Sequence, residues 1–507
     1  MDIKNAKKQI AESVKAYLAK DEYGRYLIPQ YKQRPLFLMG PPGIGKTEIM
    51  SQVASELGIG LLSYSMTHHT RQSALGLPII KHKNYFGREY DVSEYTMSEI
   101  IAAVYETMTN SGVENGILFL DEINCVSETL TPVMLQFLQY KVFGGHKIPE
   151  GWIVVTAGNP VEYNNSVREF DIVTWDRLKR IDVEPSFDAW KEYAYSAGIH
   201  SAVLTYLEIK PQNFYRIETT VNGKSFVTAR GWDDMSRMLS VYERCGMDAD
   251  GCLISQYLQN KQIAEDFAAY YELYKKYKSD YKINEILSGN ASDEVKKRAA
   301  QASFDERYSL LGLLLEAVGN DAKKLLRTEN VYTAVMEKLK AFKENGGDIK
   351  TELSDMLSET EKKFEKLKAA NSISAENDEV FTMQISILKK YLAAAENSKN
   401  TFDTGFDTGF DTVRESFNAD ISAFKEEVRL TREHFKNMFD FCEAAFGESG
   451  REMLILVTEL AANGMTAKYI SAFGCPEYHR HDKILMFHER RTEIIDEIDK
   501  LGLDEIE

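Results

Sequence analysis

The sequence predicts an α/β core, a parallel sheet flanked by helices around a phosphate-binding loop, joined to an all-α C-terminal half. Three observations predict it. Leu36 to Met39, a short apolar run, leads into Gly40, Pro41, Pro42, Gly43, Ile44, Gly45, Lys46 and Thr47, which fits the phosphate-cradling spacing G-x-x-x-x-G-K-[ST] between a strand and a helix. Gly116 to Leu120 and Trp152 to Thr156 are continuous apolar runs, the pattern of strands buried on both faces of a parallel sheet. From about Glu265 proline is absent until Pro476, and apolar residues recur at helical spacing.

A chain of 507 residues is too long for one core, and at about 150 residues per domain it holds two to four. Hydrophobic residues make up 44%, enough for a largely folded protein. The formal net charge of -17 weighs against broad nonspecific DNA binding, which depends on Lys and Arg neutralising phosphates. Nucleic acid is therefore not the expected partner. The five scattered cysteines read as reduced thiols, and a cytoplasmic protein is expected. Met1 to Ile10 lacks the apolar region of a secretory leader, and no run reaches the roughly 18 apolar residues of a membrane span, so no membrane association is expected.

Taken in order, Ile3, Ala6, Ile10, Val14, Tyr17 and Leu18 predict a helix within Asp2 to Lys20 with one apolar face, ended near Tyr23, Gly24 and Pro29. Such a helix serves either to cover a sheet edge or to lie over a nucleotide base. In the loop, positions without side chains let backbone N–H groups converge on phosphate oxygens at a helix N-terminus. Lys46 adds a charge for the β- and γ-phosphates, and Thr47 a hydroxyl for Mg²⁺. Glu48 to Leu57 continues as a helix, Leu61 to Ser65 as a second strand, and Thr67 to Pro78 is polar and turn-rich. His68 and His69 are adjacent, so they point in different directions on a helix or strand and make a poor ligand pair.

The run through Leu120 ends in Asp121 and Glu122, at the strand end where open α/β sheets bind ligands. Asp121 suits Mg²⁺ held through its water shell, and Glu122 suits orientation or deprotonation of an attacking water. Thr131 to Tyr140 is helical. Trp152 to Thr156 then leads to Ala157, Gly158, Asn159 and Pro160. Asn159 falls at the same sheet end, positioned for the nucleophilic water or the γ-phosphate, although Asn before Pro is also an ordinary turn. Beyond lie Arg168, Asp176, Arg177, Lys179 and Arg180, then Arg230 ahead of a helical Met235 to Tyr242.

This ordered set, with Ile117 to Asn124 (ILFLDEIN), Val154 to Pro160 (VVTAGNP) and Trp175 to Ile181 (WDRLKRI), resembles the AAA+ ATPases, most closely the MoxR-like branch, over roughly residues 30 to 245. The resemblance implies a P-loop AAA+ core with a small helical lid, ATP as substrate and Mg²⁺ as cofactor. It implies that Gly40 to Thr47 binds nucleotide, that Thr47 and Asp121 serve the metal, and that Glu122 is catalytic. Asn159 looks like sensor 1 and Arg230 like sensor 2. Arg177 is similar in position to the arginine finger that reaches a neighbouring subunit's γ-phosphate. Arg177 lacks the usual large residue clearly following it, and Arg168 and Arg180 compete for the role. A finger acting in trans implies a homo-oligomeric ring, and the family expectation is a hexamer. The branch often works with a protein bearing a von Willebrand factor A domain. A hairpin at Gly144, Gly145 and His146 would sit where such rings contact clients.

The expected organisation is an N-terminal helix and linker (1–29), an AAA+ core (30–190), a helical lid (191–262) and a helical accessory domain (263–507). The leading functional reading is ATP-driven remodelling or activation of a protein partner. A nucleic-acid motor or restriction-type NTPase subunit is the alternative, and a small-molecule kinase leaves Asn159, Arg177 and Arg230 without roles. In the accessory half, Phe381, Ile385, Leu388 and Leu392 form one stripe. Ile421, Phe424, Val428, Phe435, Phe439, Cys442 and Phe446 form another; both read as helix packing. Phe402 to Thr412 (FDTGFDTGFDT) repeats every four residues, with Asp403, Asp407 and Asp411, and reads as a loop between helices. Cys475, His479, His481 and His488 form the other cluster with ligand chemistry.

Overall fold

The computed structural model describes residues 1–163, 166–220, 223–345, 349–397 and 408–483. The chain divides into two compact units, one of residues 1–189 and 351–389, the other of 190–350 and 390–507.

The first unit is built on strands β1 (Leu36–Met39), β2 (Gly60–Ser65), β3 (Pro78–Tyr85), β4 (Arg88–Tyr95), β5 (Gly116–Asp121), β6 (Val142–Phe143), β7 (His146–Lys147), β8 (Trp152–Gly158) and β9 (Lys179–Asp182). Five of them form one sheet in the order β2-β5-β8-β1-β9. All its pairings are parallel. The apolar runs explain the middle of this order, since every residue of β8 is buried and only Asp121 of β5 is not. Both strands need cover on two faces.

Helices supply it. On one face α4 (Glu99–Ser111) and α5 (Thr131–Tyr140) pack Ile100, Ile101, Val104, Met134 and Phe137 against Phe37, Leu118, Leu120 and Val154. On α1 (Ile3–Leu18), Ala6, Ile10 and Val14 are buried, and α1 packs on α2 (Lys46–Leu57). Asp2 caps α1 by accepting from the Asn5 N–H, and the Lys7–Glu56 ion pair joins the two helices at 2.6 Å. The helix stops at Leu18 because Ala19 turns extended and Lys20 bridges to Tyr26.

Between β2 and α4 the chain adds the short helix α3 (Arg71–Leu75) and the antiparallel ribbon β3–β4. The turn between Ile349–Ala369 and Ala375–Asn397 closes the edge of the sheet, where the Leu61 N–H donates to the Ala370 carbonyl at 3.0 Å. An edge N–H that would otherwise invite another strand is thereby paired. Of the first predicted stripe, Leu388 is buried, and Phe381 stacks on Phe364 at 5.4 Å between centroids.

The second unit is helical apart from the hairpin β10–β11 (Arg216–Thr220, Gly223–Val227). Phe304–Asn345 and Thr408–Phe446 are its long helices. They share a core in which Leu310, Leu314 and Val318 meet Phe435, Phe439 and Cys442, so the central part of the second predicted stripe is packing. Thr408 to Thr412, the end of the four-residue repeat, is helical; Asp403, Asp407 and His488 lie outside the described residues. His481 receives its partner from Glu443, Nε2 to Oε1 at 2.7 Å, and stacks on Phe439. Burial pushes the Cys475 thiol up to about 11. Among the described residues no group of three His, Cys, Asp or Glu is arranged to hold a metal.

Candidate active site

The loop after β1 adopts a backbone its glycines make accessible. Gly43 and Gly45 have φ of 72° and 94°, values an L side chain resists. A Cβ on Gly40 would lie 2.7 Å from the Val183 carbonyl oxygen. Gly45 precedes the first residue of α2, so the loop ends on a helix N-terminus with its unpaired N–H groups.

Lys46 is 8% exposed. Its Nζ donates to the carbonyls of Gly40 at 2.6 Å and Pro41 at 2.9 Å, and to Asn159 Oδ1 at 2.8 Å. Sequence separation of 113 residues is closed by topology: β1 and β8 are neighbours, so the loop after one meets the residue after the other. Thr47 Oγ1 donates to Asp121 Oδ2 at 3.1 Å. A hydroxyl and a carboxylate oxygen side by side at a phosphate loop are the hard oxygen donors that suit Mg²⁺.

Glu122 holds a left-handed backbone with φ of 55°, uncommon for a residue with a Cβ and characteristic of functional sites. Its N–H donates to Asp121 Oδ1 at 2.9 Å. Its Oε2 accepts from Ser65 Oγ at 3.2 Å and Thr67 Oγ1 at 3.3 Å. Ser65 ends β2, the strand beside β5, and Thr67 lies in the 3-10 turn Met66–His68 that follows it; the sequence reading missed both. Asn124 was missed too. Its Nδ2 donates to the Asn159 carbonyl at 2.8 Å, and its own carbonyl accepts from the Arg168 N–H at 2.9 Å. A Cβ on Gly158 would sit 2.5 Å from Asn124 Oδ1, so this bridge between strand ends requires glycine there.

The three competing arginines differ in what holds them. Arg168 pairs with Glu128 at 2.8 Å. Arg180 pairs with Asp182 at 2.7 Å and lies over the Trp175 ring. Arg177 is exposed, and no hydrogen bond or ion pair holds its side chain among the described residues. Its charge helps to hold the Asp171 carboxyl below the usual range, after the hydrogen bonds from Thr174. Arg230 belongs to the second unit, as the exposed second residue of Ala229–Cys245, a helix capped by Thr228. Gly144 and Gly145, with φ of 56° and 98°, form the tight turn of the β6–β7 hairpin, and His146 Nε2 lies 3.2 Å from the Tyr95 carbonyl.

Phosphate loop, acidic strand end and Asn159 thus share the C-terminal edge of a parallel sheet, the position at which α/β sheets bind nucleotides. Residues 36–168 match the model of the ATPase family associated with various cellular activities (AAA). This part of the chain is similar to AAA ATPase domains, and the protein is an ATP-hydrolysing enzyme. No curated protein matches the sequence.

Proposed function

We propose that the protein is a MoxR-like AAA+ ATPase that works as a homo-oligomeric ring, a hexamer, in the cytoplasm and uses ATP hydrolysis to remodel or activate a protein partner. A protein bearing a von Willebrand factor A domain is the partner class this reading names. Gly40 to Thr47 binds the ATP phosphates, Lys46 neutralises charge on the β- and γ-phosphates, and Asn159 positions the γ-phosphate or the water. Thr47 and Asp121 would hold Mg²⁺, which would neutralise charge developing on the transferred phosphate. Glu122 orients the attacking water and takes its proton, steered by Ser65 and Thr67. Arg230 senses nucleotide state from the helical half.

The observation that carries the ring reading is the contrast among the arginines: Arg168 and Arg180 are committed to carboxylates, whereas Arg177 is exposed and available to a neighbouring subunit. Finger residues contribute about 10³ to 10⁵ in rate, so Arg177→Ala should lose nearly all turnover while still binding ATP. Glu122→Gln should also bind and assemble without hydrolysing. Mixing the two variants restores interfaces that pair an intact Glu122 with an intact Arg177, and turnover should return. If mixed assemblies stay as inactive as the separate variants, the trans assignment of Arg177 fails.

A further inference from the structure

β8 ends at Gly158, whose register partner is Met39 of β1. Asn159 stands one residue further, past the last paired position of the strand, and Pro160 after it brings no N–H. The sheet therefore does not fix the residue assigned to the γ-phosphate or the water. Two side chains fix it instead. Lys46 Nζ donates to its Oδ1 at 2.8 Å, and Asn124 Nδ2 donates to its main-chain carbonyl at 2.8 Å.

The two bonds differ in what else the donor does. Lys46 also serves the phosphates in the proposed mechanism, so its hold on Asn159 is shared with ATP. Asn124 touches no phosphate in that mechanism. It is 3% exposed, and its own carbonyl is held by the Arg168 N–H at 2.9 Å. Its neighbour Ile123 is buried in the apolar core, and both belong to the turn Ile123–Cys125, which Glu122 opens as N-cap. Asn124 thus ties the turn that follows Glu122 to the main chain of Asn159, 35 residues on.

The fit around this amide is close. A Cβ on Gly158 would lie 2.5 Å from Asn124 Oδ1 and 2.7 Å from its Cγ, so a side chain at 158 would push the amide away from the Asn159 carbonyl. An anchored donor admitted by a glycine and aimed at the backbone of a site residue is the arrangement by which one residue locks the orientation of another.

We propose that Asn124 is a positioning residue for ATP hydrolysis. It holds the main chain of Asn159 so that the Asn159 amide meets the γ-phosphate or the attacking water at a fixed distance from Glu122. The proposal rests on the role given to Asn159 above. Its expected size is large, because a displacement of about 1 Å at a reacting group costs about 10²-fold in rate.

Steady-state ATPase kinetics and ATP binding, measured on the full chain, test it. Asn124→Asp keeps the shape that fits against Gly158 and replaces the donor by an oxygen; Asn124→Ala removes the amide. Both should lower kcat about tenfold or more while ATP affinity changes by less than about threefold, since the bond acts on the reacting end of the site and not on the phosphate loop. In a double-mutant cycle, Asn124→Ala combined with Asn159→Ala should turn over about as slowly as Asn159→Ala alone, because one residue acts through the other. A residue that merely supports the fold would give multiplying losses instead. Such losses, or an unchanged kcat in both folded Asn124 variants beside a slow Asn159→Ala protein, overturn the positioning role alone. A wild-type kcat in Asn159→Ala overturns the reading of Asn159 and the proposal with it. If neither Asn124 variant folds, Asn124 serves the fold and the proposal fails.

Discussion

Lys46 in the sheet unit and Lys191 in the helical unit are both largely buried ammonium groups, and their partners make them opposite devices. Lys46 bonds two carbonyl oxygens and one amide oxygen, acceptors that fix its position without neutralising its charge. Lys191 bonds the carboxylates of Glu208 and Glu459. Burial works against its charge, and the two carboxylates more than offset that, raising its pKa. Neutral oxygens hold an ammonium in place without cancelling its charge; carboxylates cancel it in the fold. The difference separates a lysine whose described bonds go to neutral oxygens from one built into a buried ion network.

The largest effect is expected where the comparison is made on Lys46. Lys46→Ala should abolish nucleotide binding and lower turnover by at least about 10²–10³, the scale of losing one charge-stabilising donor. The three bonds described go to neutral oxygens, so their loss should cost less stability in chemical denaturation than stranding a buried carboxylate. An unfolded or strongly destabilised Lys46→Ala protein would break the contrast, since Lys46 would then be acting architecturally.

How much of this was legible beforehand follows the same division. The phosphate loop, the run ending in Asp121 and Glu122, and the run ending in Asn159 stood out because each joins a local pattern to a local chemistry. Strand order did not, and Ser65 and Thr67 reach Glu122 only because β2 lies beside β5. The β3–β4 ribbon escaped because nearly all of its residues are exposed or half-exposed on both faces, leaving no alternation to read. β9 escaped because only Ile181 of its four residues is buried. Lys191 and Glu459 are 268 residues apart, and no periodicity announces a contact of that range.

On the other side of the comparison, Lys191→Met should leave Glu208 and Glu459 facing each other without their cation. Removing one partner of a buried ion pair costs about 3–5 kcal/mol, which should appear in denaturant unfolding and as faster amide exchange in Phe187–Ala197 and Arg451–Ala462. Replacing all three by Met, Gln and Gln should recover much of the loss, because the penalty comes from stranded charge. A stable single variant would show that the network is dispensable and that Lys191 is not its centre.

The smallest expected effect belongs to a third lysine with fewer partners than either. Lys141, 3% exposed, follows α5, and its Nζ donates to the Gln33 carbonyl at 2.6 Å. Burial lowers its pKa to about 8, whereas an unfolded chain keeps it near 10.4. Below pH 8 both states are protonated, and this group contributes no pH dependence. Between about pH 8 and 10.4 the unfolded chain binds more protons, so stability rises with pH, by up to about 3 kcal/mol across that window. Lys141→Met should remove this rise. It should also stabilise the protein near pH 7 by about 1–2 kcal/mol, the relieved desolvation less the bond lost by Gln33. Urea unfolding at several pH values from 7 to 10.5 measures both. An identical slope in the two proteins would mean that Lys141 is solvated in the folded state, and that a single neutral acceptor is not enough to hold a lysine in the interior.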